Sequence, residues 1–287
     1  MTGQRINLIG AGRVGQTFLK LLSRLPGYRI QDVLSSRMAA AEAAVRFCGA
    51  GRPLQEFRDL RPADLWLLTV PDTRIAQVAS RIAGTLHAEP QAAPVAFHCS
   101  GFLPAAEMEP LRAAGFQLAS VHPVLSFADA DSAVSQFPGT RCGVEGDEPA
   151  VSRLQPVLAA IGARPFPVRS ESKGLYHAAA VFSNNFTTVL QALAREAWAE
   201  AGVPEEVARD LNASLLRATA DNIAAHGPQK ALTGPAARGD HDVVLAQGRE
   251  VTQWHPAAGQ LYRELSDMAQ RLKRQGRALA ADEPPGT

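Results

Sequence analysis

The sequence predicts an α/β fold: a doubly wound, mostly parallel sheet followed by an all-helical domain. Three observations carry this. Near the start, a glycine turn stands between an apolar run and an amphipathic one. Short apolar runs then alternate with helical patterns up to about residue 170, the signature of a parallel sheet. Beyond that point strand-like runs stop and long Ala- and Leu-rich helical patterns take over. The expected division is residues 1–169 for the sheet and 170–287 for the helices. Asp282 to Thr287, with Pro284-Pro285-Gly286, is expected to be a disordered tail.

The elements follow in order. Arg5–Ile9 reads as a strand, Gln16–Leu22 as the helix behind the glycine turn, and Arg29–Leu34 as the second strand after Pro26-Gly27. An Ala-rich helix from Met38 ends at Gly49-Ala50-Gly51. Leu65–Val70 is a continuous apolar run of buried-strand type, stopped by Pro71. Asp72 is placed to cap the helix through Ile75, Val78 and Ile82. Pro94–Cys99 and Gln117–Val121 are further strands, ending at Ser100-Gly101 and His122-Pro123. Arg141–Glu145 and Arg164–Val168 close the sheet around a helix at Val151–Ile161. The helical half reads as Lys173–Ala201, Pro204–His226, Asp242–Gln253 and Pro256–Gly276.

Composition narrows the functional classes. With 287 residues, 46% hydrophobic and 20% charged, the chain has material for a sizeable core. A formal net charge of +1 with no dominant basic block gives no footprint for nucleic acid or an anionic membrane. Cys48, Cys99 and Cys142 are scattered and odd in number, which fits small buried side chains in a reducing compartment. The first strand is expected to start within a few residues of Met1, leaving no room for a signal peptide, and no apolar run approaches membrane-spanning length. The expected location is the cytoplasm.

The glycine turn is Gly10-Ala11-Gly12-Arg13-Val14-Gly15, with the G-x-G-x-x-G spacing of a dinucleotide site and the strand and helix that such a site requires. Gly10 permits the tight turn, Gly12 the approach of a pyrophosphate, and Gly15 close helix–strand packing. The helix N-terminus offers N–H groups and a positive dipole end to phosphate. About 20 positions on, where an acid would hold the NAD ribose hydroxyls, the sequence reads Ser35-Ser36-Arg37. Two hydroxyls and a guanidinium suit a 2′-phosphate, so NADP is expected over NAD. Asp32 is the competing acid, three residues inside the strand.

Ligands of such sheets bind outside the carboxyl ends of the strands. That rule nominates Thr69-Val70-Pro71 and Ser100-Gly101 for the nicotinamide end of the cofactor, and His122 as a cleft-wall donor. No metal site is expected, since His98 and His122 lack a carboxylate or thiol set at ligand spacing. At the head of the helical half, Lys173, His177 and Asn184 fall within ~40° of one another on an ideal helix. Ala180 between them leaves room for a ligand. Farther on, Leu232-Thr233-Gly234-Pro235-Ala236-Ala237-Arg238-Gly239-Asp240 reads as a Gly/Pro loop, with Asp240 a helix cap and Arg238 either surface decoration or an anion clamp.

These residues resemble the Rossmann-like oxidoreductases with a helical second domain: pyrroline-5-carboxylate reductase, ketopantoate reductase, prephenate dehydrogenase and the β-hydroxyacid dehydrogenases. The resemblance is carried by the glycine turn, His98-Cys99-Ser100-Gly101, His122-Pro123 with Ser126-Phe127, Lys173 with Tyr176-His177, Asn184, and Ala231–Asp240. It is nearest to an uncharacterised NADP-dependent branch. It implies a second domain of the 6-phosphogluconate-dehydrogenase-like type, a homodimer built through that domain, and hydride transfer between NADP(H) and a small anionic carbonyl or imine. It also implies substrate contacts from His122, Ser126, Thr233 and Arg238, orientation by Asn184, and a proton from Lys173 or His177. The relatives often place their Lys and Asn one helical turn apart; here His177 stands at that spacing. A non-catalytic NADP(H) sensor or assembly protein is the alternative, and the direction of reaction is open.

Overall fold

The computed structural model describes residues 3–85 and 93–280. The expected tail at 282–287 lies outside them. Eight strands form one sheet: β1 Gln4–Ile9, β2 Tyr28–Leu34, β3 Arg52–Leu54, β4 Leu65–Leu68, β5 Val95–His98, β6 Gln117–Pro123, β7 Arg141–Gly146 and β8 Arg164–Pro167, in spatial order β3-β2-β1-β4-β5-β6-β7-β8. All neighbours are parallel except β6 and β7. The strand order reverses between β1 and β4, which makes the carboxyl ends of those two strands the ligand crevice of this topology. The helices among and after the strands are α1 Arg13–Leu22, α2 Met38–Cys48, α3 Ile75–Ala83, α4 Glu109–Ala113, α5 Ala130–Gln136, α6 Glu148–Ala160 and α7 Lys173–Val181.

Burial on both sheet faces explains the unbroken apolar strands. Along β4, Leu65 and Leu67 join one core cluster, whereas Trp66 and Leu68 join the opposite one. Phe18 of α1 packs edge-on against Phe97 and Phe137 on the first face, and Trp66 meets Phe116 on the second. Hydrophobic side chains of this size each stabilise by about 1.5–3 kcal/mol when fully buried.

Two local expectations need correction. Asp72 does not cap α3: a 3₁₀ turn over Asp72–Arg74 intervenes, and the carboxylate instead accepts from the Ser100 hydroxyl. The single helix expected over Lys173–Ala201 is divided. A π turn at Phe182–Phe186 separates α7 from α8, Thr187–Glu200. Among the elements not foreseen are the short strand β3, the helices α4 and α5, and the antiparallel setting of β7.

The chain separates into two compact units, 1–186 and 187–287, so α7 clusters with the sheet. The second unit holds α8, α9 Glu205–His226, α10 Pro228–Ala231, α11 Pro235–Arg238, α12 His241–Trp254 and α13 Pro256–Gln275. Within it, Trp198 Nε1 donates to Asn212 Oδ1 and Asn212 Nδ2 to the Gln191 carbonyl, locking α8 to α9. The stretch expected as a loop contains the short helix α11, and α10 lies just before it.

Candidate functional site

The glycine turn is built as its spacing demands. Gly10 adopts φ +105°, and a Cβ there would stand 2.6 Å from the Thr69 carbonyl oxygen. A Cβ at Gly15 would collide with the Gly10 carbonyl oxygen, so this glycine lets α1 close onto the turn. Gly12 differs: nothing lies within 4 Å of where its Cβ would be. Gly12 is also the N-cap of α1 and no side chain caps that terminus, so the first N–H groups of the helix, at Arg13 and Val14 beside Ala11, are not taken by a cap. An open cradle at a helix N-terminus is what a pyrophosphate needs, and these residues fit it. Thr69 Oγ1 donates to the Gly10 carbonyl at 2.6 Å, which pins the turn to the tip of β4.

At the tip of β2, Ser36 and Arg37 are exposed and Ser35 half-buried. The Ser35 N–H is tied to the Leu54 carbonyl, and Gln55 Nε2 donates to the Ser36 carbonyl, so the short strand β3 holds this tip in place. Asp32 is fully buried and engaged elsewhere. Arg61 approaches it at 2.6 Å and Arg52 at 3.0 Å, and the Arg61 N–H adds a third contact at 2.9 Å. Burial raises its pKa, but the hydrogen bonds from Arg61 and Arg52 outweigh that and hold it below the usual range. The acid that competed for a ribose is therefore a structural ion pair.

Beyond β5 and β6 the expected residues fall into two groups. The first is a sealed anchor. Lys173, only 2% exposed, donates from Nζ to the Ser100 carbonyl at 2.9 Å and to the Ser120 hydroxyl, with Glu145 at 3.8 Å. Burial pulls its pKa down to about 8 although Glu145 favours the charged form. Glu145 also accepts from the Ala105 N–H at 2.7 Å and the Ser170 hydroxyl at 2.5 Å. The Ser100 hydroxyl donates to Asp72 and accepts from the Phe102 and Leu103 N–H groups, which fills all three of its hydrogen-bonding positions. Thr69 and Ser100 therefore build turns with the hydroxyl groups that were expected to face a nicotinamide. His98 is likewise structural. Nδ1 accepts from the Ser100 N–H and Nε2 donates to the Pro104 carbonyl, while burial lowers its pKa to about 4.

The second group is an imidazole pair at Gly101. A Cβ on this glycine would strike His177 Nδ1 and come within 2.8 Å of His122 Nε2. The two rings stand edge to face, 5.6 Å between centroids. His177 Nδ1 is the one buried side-chain nitrogen or oxygen lacking a hydrogen-bond partner among the described residues. His122 Nδ1 meets the Tyr176 hydroxyl at 2.8 Å. Burial, then the nearby His177 and Lys173, lowers the His122 pKa to about 4, and burial raises that of Tyr176 to about 12. Val70 is half-buried and Pro71 exposed at the neighbouring strand tip, and Ser126 is exposed in the loop after β6.

The stripe expected from Lys173 through His177 to Asn184 is not continuous. Asn184 falls in the π turn, whose i→i+5 spacing shifts the register that an unbroken α-helix would keep. Lys173 points into the protein, whereas His177 reaches Gly101. Thr233 and Arg238 belong to the second unit. Arg238 pairs with Asp240 through Nε at 2.9 Å, so that aspartate binds the arginine instead of capping α12. Sequence reasoning missed Ser120, Glu145, Gly143 and the role of Tyr176. A buried glutamate inside the apolar run of β7 was the available signal. Among the described residues no group of three His, Cys, Asp or Glu side chains could hold a metal ion, and no helix is long and apolar enough to cross a membrane.

Residues 140–269 match a family described as a domain of unknown function, DUF2520. Solved structures share the fold over nearly the whole chain. Protein TM1727 from Thermotoga maritima is 28% identical, with a TM-score of 0.75 over 94% of this chain and 99% of that one. The "putative NADP oxidoreductase BF3122" from Bacteroides fragilis is 25% identical, with a TM-score of 0.74 over 94% and 99%. Pyrroline-5-carboxylate reductase from Coxiella burnetii, at 15% identity, matches in fold with a TM-score of 0.59 over 96% and 100%. No curated protein sequence matches this chain. The Rossmann-like architecture with a helical C-terminal region is thus shared with the oxidoreductase fold that the sequence resembled.

Proposed function

We propose that this chain is an NADP-dependent oxidoreductase that moves hydride between NADP(H) and a small anionic carbonyl or imine compound. The observation that carries the cofactor is the pairing of an open glycine cradle at α1 with a strand tip of Ser35, Ser36 and Arg37, while Asp32 is held by two arginines. The reaction class is supported by the fold shared with BF3122 and its description as a "putative NADP oxidoreductase".

When bound, the cofactor supplies or accepts the hydride. Backbone N–H groups from Gly12 to Val14 bind its phosphates, Arg37 with the serines binds the 2′-phosphate, and the backbone at Val70, Pro71, Ser100 and Gly101 borders its nicotinamide end. Of the two candidate acids, His177 is favoured, because the Lys173 ammonium is sealed among Ser100, Ser120 and Glu145. His177 holds the proton exchanged with the substrate heteroatom, and Lys173 fixes the Ser100–Gly101 turn beneath it. His122 and Ser126 bind the substrate, and Asn184 orients it.

The same reading includes a homodimer formed through the helical unit. Val189 and Leu190 of α8 and Val207, Leu211, Leu215, Leu216 and Ile223 of α9 are exposed apolar side chains, and α8 has no buried residue. Apolar patches of this kind mark association surfaces. It also includes a cytoplasmic location with neither nucleic acid nor membrane as partner.

The test is a fluorescence titration with NADPH and NADH, followed by NADPH oxidation against a panel of 2-keto acids and cyclic imines. Tighter binding of NADPH and oxidation with at least one compound is the expected result. Failure to bind either nucleotide would overturn the reading. Binding without oxidation by any compound would replace it with a nucleotide sensor.

A further inference from the structure

Resting on the proposed oxidoreductase reading, we infer that Tyr176 is a positioning residue. Its hydroxyl donates to His122 Nδ1 and fixes that ring in the tautomer with its proton on Nε2. A neutral N–H donor then stands beside Gly101 for the reacting oxygen or nitrogen of the substrate.

The direction of this hydrogen bond follows from its surroundings. The Tyr176 hydroxyl lies 2.8 Å from His122 Nδ1, and this is its one hydrogen bond among the described residues. If Nδ1 carried the proton and the phenol oxygen accepted it, the hydroxyl hydrogen would have no acceptor. With the hydroxyl donating, both groups are satisfied and the imidazole proton must sit on Nε2. The phenol keeps its proton because burial raises its pKa to about 12, and His122 stays neutral with a pKa near 4. His122 Nε2 makes no hydrogen bond among the described residues, yet it is not among the buried atoms that lack one, so it remains open to a ligand.

Two glycines make the arrangement possible. A Cβ at Gly143 on β7 would stand 2.6 Å from the Tyr176 oxygen, and one at Gly101 would stand 2.8 Å from His122 Nε2. Neither has a positive φ, so close approach of the side chains is what requires glycine there. The rings of Tyr176 and His122 meet edge to face at 5.5 Å, and Phe166 of β8 backs Tyr176 at 6.1 Å. The result is a chain of side chains from β8 through Tyr176 and His122 to the Gly101 turn, next to the unpartnered Nδ1 of His177. A neutral imidazole suits a polarising role, since it donates a hydrogen bond without bringing a charge that would need desolvation. The proton transfer itself stays with His177.

The experiment is long-range 1H–15N correlation on the full-length protein labelled in its histidine rings, with the His122 signals assigned from a His122→Gln sample. Wild type is expected to show an unprotonated Nδ1 and a protonated Nε2 on His122. Tyr176→Phe and Gly143→Ala, the second of which displaces an intact hydroxyl, are each expected to give a mixture of tautomers. Any panel compound that supports NADPH oxidation should show kcat about 10-fold lower in Tyr176→Phe. The Kd for NADPH should be unchanged. A protonated Nδ1 in the wild type overturns the inference outright, with no variant needed. An unchanged His122 spectrum in Tyr176→Phe also overturns it. Neither result touches the cofactor reading, which the NADPH titration decides separately.

Discussion

Replacing Lys173 by Met removes an ammonium from a place where it is sealed, and the consequence can be worked from its neighbours. The Lys173 and Glu145 side chains are 3% and 5% exposed, so the variant strands a buried carboxylate. Breaking one partner out of a buried pair costs about 3–5 kcal/mol. Glu145 keeps the Ala105 N–H and the Ser170 hydroxyl, which places the loss near the lower end, about 3 kcal/mol. For a unit of this size that lowers Tm by roughly 6–12 °C. The loss also depends on pH. The Lys173 pKa falls from 10.5 unfolded to about 8 in the fold, so between those values the unfolded chain binds the proton that the folded chain has released. Wild-type stability from this group is therefore fully present above pH 10.5 and lost as pH falls through 8. The gap between wild type and variant should widen by up to about 3 kcal/mol across that window. Urea unfolding at pH 7, 8, 9 and 10 reads both effects. A variant within 1 kcal/mol of wild type at every pH would refute the buried anchor. Adding Glu145→Gln separates anchor from acid. An anchor predicts that Lys173→Met/Glu145→Gln recovers stability with turnover within about 10-fold of wild type, whereas an acid predicts a loss of roughly 10²–10⁴-fold.

Three other perturbations probe the cofactor end. Arg37→Ala should weaken NADPH binding about 10- to 100-fold, the worth of a charge-assisted contact, and leave NADH binding unchanged in the same titration. Gly12→Val and Gly15→Ala should part company. The first fills the open cradle and abolishes NADPH binding with little change in Tm, and the second drives a Cβ into the Gly10 carbonyl and lowers Tm itself. Asp32→Asn should cost about 2 kcal/mol at pH 7. Because the Asp32 pKa is depressed in the fold, its contribution is present above its ordinary value and disappears as pH falls through the lower folded one. Acid unfolding curves of the two proteins should therefore converge at low pH.

The parts of this molecule legible in its sequence are those whose cause is local. The glycine turn, the alternation of Leu65, Trp66, Leu67 and Leu68 between two cores, and the strand tips at Ser35–Arg37, Ser100-Gly101 and His122 each follow from a few consecutive residues. The illegible parts are set by partners far away in the chain. Whether Lys173 faces a ligand or the protein depends on Ser120 and Glu145, which only the pairing of β6 with β7 brings together. The antiparallel β7 has no hairpin turn before it, because α5 fills the connection. The π turn at Phe182–Phe186 inserts into an otherwise regular helical pattern, and it moves Asn184 off the stripe that an ideal helix would give it. Asp72 looked like a cap because capping needs only a suitable side chain before a helix; the Ser100 hydroxyl that claims it arrives from the next strand.

The two outermost strands limit how copies of this chain can meet. On β8 the N–H groups of Arg164 and Val168 point inward to β7, so residues 165 and 167 would offer theirs outward, and both are proline. On β3 the Leu54 carbonyl points inward to β2, so residue 53 faces outward, and it too is proline. A neighbouring strand that came to either edge would find carbonyls without the donors that complete a ladder. The sheet is thus closed at both ends by composition alone, and growth by strand addition, ordered or pathological, has no template here.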